Sequence, residues 1–168
     1  MLATRILTLS ILMLALSNCG FALRGSDMLS ANFTSLQFYS EQPNSDFSRL
    51  LRRSLESADV DVTVVDEMGA DPDIPLLGIV SEQLITRPVT INPRARAAQI
   101  ELRLSVVAAL QLGGQTLMEP ETLFVERVYF QDIENISGNQ EEAEIISGEM
   151  RRDLINQLMR RLSATEPV

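Results

Sequence analysis

The 168-residue chain contains no histidine, no lysine and a single cysteine, Cys19. Without histidine, the commonest general base and the commonest metal ligand are missing. One cysteine can form neither an intrachain disulfide nor a zinc site of the usual Cys/His type. Gly-rich phosphate loops and nucleophile elbows are absent, and the carboxylates scatter along the chain without a convincing acid/base pair. These absences argue against an enzyme and imply a domain that is stable without disulfides. All 14 basic residues are arginines, whose forked guanidinium suits bidentate contacts to phosphate or carboxylate. Against 23 acidic residues they leave a net charge of −9, so overall charge excludes a nucleic-acid binder.

The N-terminus is the one strongly apolar stretch. Arg5 supplies a positive start, and the run from Ile6 to Leu16 is apolar apart from Thr8 and Ser10. This core is shorter than the ~20 residues that span a bilayer and fits a cleavable signal peptide. Leu16-Ser17-Asn18-Cys19 resembles a bacterial lipoprotein cleavage and acylation site, departing from the usual pattern at Asn18. Cys19 is therefore the expected lipidation site. Removing residues 1–18, whose only charge is Arg5, takes the net charge from −9 to −10. Gly20 follows the cysteine, where an Asp would favour inner-membrane retention in enteric lipoproteins, so outer-membrane export is expected. The organisation predicted is a signal peptide at 1–18, a lipidated tether at 19–32 and one domain at 33–168, a size that leaves no room for a second.

Within the domain, Phe33 to Tyr39 alternates like a strand. Asn44 or Ser45 caps a helix whose apolar residues Leu50, Leu51, Leu55 and Ala58 recur at helical spacing. Val60 to Val65 forms either a short strand or an extended connection. Leu76 to Thr86 reads as a strand, and Arg87-Pro88 with Asn92-Pro93 marks a turn region, because proline lacks a donor and restricts its predecessor. The even positions from Ile100 to Leu112 are apolar and the odd ones largely polar, the period of a strand with one face on a core. Gly113-Gly114 signals a hairpin. Leu123 to Gln131 returns as a strand apolar on both sides, one either buried more fully or meeting another protein. Asn139 with Glu142 has capping-box spacing and predicts a helix to about Leu162, with a stripe of Ile146, Met150, Leu154, Leu158 and Leu162 widened by Ile145 and Ile155. The fold class expected is α+β, a two-layer sandwich with two helices on one face of a mostly antiparallel sheet of about four strands.

Several segments together resemble one family. Cys19-Gly20-Phe21-Ala22-Leu23-Arg24-Gly25, the strand entered through Asn92-Pro93-Arg94-Ala95-Arg96, the segment Arg127-Val128-Tyr129-Phe130-Gln131-Asp132, and the helix with Glu149-Met150-Arg151-Arg152-Asp153-Leu154 are similar, in order, to the LPS-assembly lipoprotein LptE family. The resemblance implies a non-enzymatic outer-membrane lipoprotein that plugs the LptD β-barrel in the complex delivering lipopolysaccharide (LPS) to the outer leaflet. The implied partners are an LptD-like barrel, LPS, and membrane lipid through the acyl anchor; no cofactor is implied beyond the lipid on Cys19. Arg87, Arg94 and Arg96, around one turn, are the candidate LPS contacts. A stand-alone periplasmic lipid-binding or envelope-tethering lipoprotein is the alternative.

Overall fold

A computed structural model describes residues 26–67, 71–91, 97–132 and 135–165. Its elements, in order, are α1 (Ser26–Asn32), β1 (Ser35–Ser40), α2 (Asp46–Glu56), β2 (Asp61–Val64), β3 (Leu76–Ile91), β4 (Ala97–Leu112), β5 (Gln115–Phe130) and α3 (Ile136–Ala164). The strands form one sheet in the order β2-β1-β3-β4-β5. β1 runs parallel to both β2 and β3, whereas β3, β4 and β5 form an antiparallel meander of 16-residue strands. The class is the α+β one expected, with five strands among the described residues instead of about four. Parallel neighbours require a crossover, and α2 supplies the one between β1 and β2.

β4 sets the two layers. Ile100, Leu102, Leu104, Val106, Ala108 and Leu110 are all at most 7% exposed. Through the register, Leu77 and Ile79 of β3 and Leu123, Val125 and Tyr129 of β5 share their face. Phe47, Leu51 and Leu55 of α2, and Met150, Leu154, Leu158 and Leu162 of α3, join them in one apolar cluster. Each fully buried aliphatic side chain there contributes roughly 1.5–3 kcal/mol relative to exposure. The α2 start is as expected: Ser45 is the cap, its hydroxyl accepting from the Ser48 amide at 3.0 Å. The hairpin at Gly113-Gly114 has φ of 57° and 81°, the positive pair that a two-residue type I′ turn demands.

Four expectations are corrected. β3 continues through Arg87-Pro88 to Ile91, so these residues lie in the strand rather than in the turn. Proline is tolerated there because β1 pairs with β3 only as far as Ile79, which leaves the later part of β3 at an edge, with a register shift beside Pro88. β5 begins at Gln115, well before Leu123, and absorbs Pro120 on an edge strand where the register slips against β4. α3 is capped by Asn135, whose side chain accepts from the Gly138 amide, and not by Asn139. Asn139 instead lies buried in the first turns, accepting from the Asp132 amide at 2.9 Å and donating to its carbonyl. Ile145, 58% exposed, is not part of the α3 stripe. In addition, residues 26–32, assigned to the tether by the sequence, form a third helix with Leu29 fully buried; residues 19–25 lie outside the described residues.

Leu154→Ala should cost about 2–5 kcal/mol by urea denaturation followed by circular dichroism. Ile145→Ala should stay within about 0.5 kcal/mol of the parent. Equal losses would contradict the assignment of Ile145 to the solvent side.

Candidate functional site

The sheet face opposite the helices is formed by the residues that alternate with the core. On β4 these are Glu101, Arg103 and Ser105; register places Gln83, Ile85 and Arg87 beside them on β3, and Phe124, Glu126 and Val128 on β5. Charges are paired across strands. Arg87 donates from Nε to Glu101 Oε1 at 2.5 Å, and Arg103 Nη1 lies 3.1 Å from Glu126 Oε1. The Glu101 hydrogen bond first, then its charge, pushes the Arg87 pKa up. A raised pKa favours the folded pair below the unfolded value and is lost only above the folded one, so Arg87 keeps its charge throughout the physiological range. The Arg103 guanidinium also lies 4.3 Å from the centroid of the Phe124 ring, a cation–π geometry.

Beside these pairs lies bare apolar surface. Leu123, Val125 and Tyr129 are buried, whereas Phe124, Val128 and Phe130 are 48, 52 and 73% exposed. The two-sided apolar character of this segment thus resolves into one buried side and one open side. Ile85, 47% exposed, adds to the same face from β3. The β5 edge is guarded: Arg127 donates to the Glu126 carbonyl at 3.0 Å and to Asp153 of α3 at 2.5 Å. Arg161 of α3 pairs with Glu121, and Pro120 interrupts the donors of the edge.

Of the candidate contacts, Arg87 lies on this face, engaged by Glu101. Arg94 and Arg96 lie outside the described residues, in the 92–96 link between β3 and β4, and Cys19 likewise lies outside them. The Arg103, Phe124 and Glu126 group was not singled out from the sequence. Arg103 registered only as a polar position in the alternation, and its partners become visible only once the β4–β5 register is fixed. Among the described residues, no three His, Cys, Asp or Glu side chains are placed to hold a metal ion, and no helix is long and apolar enough to cross a membrane.

The family model described as LptE, lipopolysaccharide-assembly, matches residues 33–162. The chain belongs to the LptE family. Relatives agree: the LPS-assembly lipoprotein LptE of Yersinia pestis (strain Pestoides F) is 31% identical over 160 residues, covering 94% of this chain and 75% of the relative. The protein of the same name from Yersinia pseudotuberculosis serotype O:1b (strain IP 31758) matches to the same extent. Two solved structures share the fold. Rare lipoprotein B from Shewanella oneidensis superposes with a TM-score of 0.66 at 24% identity, covering 77% of this chain and 94% of that one. The solution structure of lipoprotein B from Nitrosomonas europaea gives 0.65 at 22% identity, covering 86 and 91%. This LptE-family chain is therefore a lipoprotein of LPS assembly.

Because both side chains keep more than a third of their exposure to solvent, the Arg103–Glu126 pair should contribute little to stability. A double-mutant cycle with Arg103→Ala and Glu126→Ala is expected to give a coupling of about 0.2–1 kcal/mol that shrinks on going from 0.05 to 0.5 M salt, both values chosen for the assay. A larger, salt-insensitive coupling would mean that this face is structural.

Proposed function

We propose that the chain is an outer-membrane lipoprotein, cleaved after Asn18 and acylated on Cys19, which acts as plug and assembly partner of an LptD β-barrel delivering LPS to the outer leaflet. The role is non-enzymatic, and the acyl group on Cys19 is its only attached group. The signal peptide is residues 1–18, the lipidated tether 19–32, whose second half forms α1, and the single domain 33–168. Family membership supports the LPS-assembly role. The observation that carries the barrel partnership is the open face of β3–β5. Its ion pairs are internally balanced, and it carries large apolar side chains that no other described residue of the chain covers. A monomer rarely leaves such a patch bare, and a polar barrel lumen is well matched to neutral, paired charges around a few apolar contacts. Arg87, Arg94 and Arg96 are proposed LPS contacts, since guanidinium forks bind phosphates and carboxylates with charge-assisted bonds.

Tagged full-length protein should co-purify with a large outer-membrane β-barrel in near-equal amount. Phe124→Glu combined with Val128→Glu should lower barrel recovery at least tenfold while leaving the thermal midpoint within a few degrees. Recovery of the anchored protein with no barrel would sink the reading in favour of a stand-alone lipoprotein.

The site assignments have their own measurements. Cys19→Ser should abolish incorporation of radiolabelled palmitate, and persistence of the label would remove Cys19 as the acceptor. Arg94→Glu with Arg96→Glu should weaken LPS binding several-fold in a pull-down with the full chain, and unchanged binding would take both out of the contact.

A further inference from the structure

The ends of the sheet are chemically and topologically distinct. The backbone bond from the Asp61 amide to the Thr34 carbonyl and the pairings Gln37 with Leu76, Leu76 with Gln111 and Leu112 with Gln115 bring the starts of β1, β2, β3 and β5 and the end of β4 to one end. At the other end, Thr90 pairs with Gln99 and Gln99 with Phe130, beside the start of α3. The strand from Gln99 to Leu112 rises ~3.3 Å per residue, so the two ends stand about 40 Å apart.

α1 belongs to the first end, where it is locked in place. Leu29 is fully buried in the core, and the Asn32 amide donates to the carbonyls of Ser163 at 3.0 Å and Thr165 at 3.1 Å. These are carbonyls at the C-terminal end of α3, among those that a helix leaves without internal partners. Asn32 therefore closes α3 and binds the N-terminal segment to it in one contact. From Ser26 back to Cys19 is seven residues (26 minus 19), which span at most about 25 Å even when fully extended.

We propose that the domain is mounted end-on: α1, clamped by Leu29 and Asn32, delivers the acyl anchor to the Gly113-Gly114 end and points the Thr90 end, with Arg87, away from the anchored leaflet. This rests on acylation of Cys19 and is independent of the barrel. The mount makes α1 a mechanical joint, with Asn32 as its positioning residue. If the seven-residue α1 were released, the free arm would lengthen by roughly another 25 Å, and the bias that keeps the Gly113-Gly114 end nearer the leaflet would be lost.

The test uses the acylated full-length protein in vesicles of phosphatidylethanolamine and phosphatidylcholine that contain a headgroup-nitroxide lipid. A fluorophore is placed on Gln115→Cys or on Thr90→Cys, Cys19 being blocked by its lipid. Quenching is expected to be at least threefold stronger at position 115 than at position 90. Leu29→Ser with Asn32→Ala should bring the ratio near one, with unchanged circular dichroism showing that the sandwich persists. Equal quenching in the parent, stronger quenching at position 90, or a ratio unaffected by the α1 variant would each overturn the mount. Failure to float with the vesicles would overturn the acylation and the mount together, whereas the barrel reading stands or falls on co-purification.

Discussion

The strict alternation of β4 is the constraint on which the other elements depend. β4 lies between two long antiparallel neighbours, so its even residues dictate which side of β3 and β5 also becomes core. A one-residue slip on either side would drive Arg103 and Glu101 toward the helices and turn Leu102 and Leu104 out to water. The two-residue turn at Gly113-Gly114 holds the β4–β5 register, because each glycine adopts a positive φ that other residues avoid. With that face fixed, α2 and α3 have a single apolar surface to cover, and their stripes of Leu51 and Leu55, and of Met150, Leu154, Leu158 and Leu162, meet it.

The same alternation creates the open face, and the chain manages the exposure that follows. Every guanidinium described there has a carboxylate partner, and Arg103 shields one side of the Phe124 ring. The edge of β5 is interrupted by Pro120 and occupied by Arg127 at the Glu126 carbonyl. Strand addition along that edge is thereby disfavoured, while Phe124, Val128 and Phe130 stay open on the face. Any partner of this sheet would meet its open face more readily than its rim. The guarded rim also discourages edge-to-edge association with other sheets.

Legibility in the sequence followed how local each interaction is. The β4 alternation, the Ser45 cap and the Gly-Gly hairpin are decided by neighbours a few residues apart, and the chain states them directly. The misplaced end of β3 has a different origin. Pro88 reads as a breaker, yet it sits, as Pro120 does, on a strand stretch with a free side, a fact of sheet order that no local window contains. Asn139 had the spacing of a cap but is consumed by Asp132, and Asn135 caps instead. Leu29 looked like tether because its burial depends on contacts with the far end of the chain, as the Asn32 bonds to Ser163 and Thr165 make plain. The open-face group was the least legible, since Arg103, Phe124 and Glu126 are brought together by register alone.

Pairing also bears on the chemistry available to Arg87. Its guanidinium is solvent-exposed and holds Glu101 through Nε at 2.5 Å, so an incoming phosphate meets the Nη donors beside a carboxylate already in place and does not meet a bare cation. Repulsion from that carboxylate opposes the charge-assisted bonds a phosphate would make, which keeps net affinity modest. On the proposed role in LPS delivery, such a shared cation suits a contact that must release what it binds. A storage site would instead leave its arginines unopposed and draw its anion into a desolvated pocket, where the Coulombic attraction is far less screened. Arg87 is opposed and exposed on the open face, an arrangement that on the same reading favours transient contact.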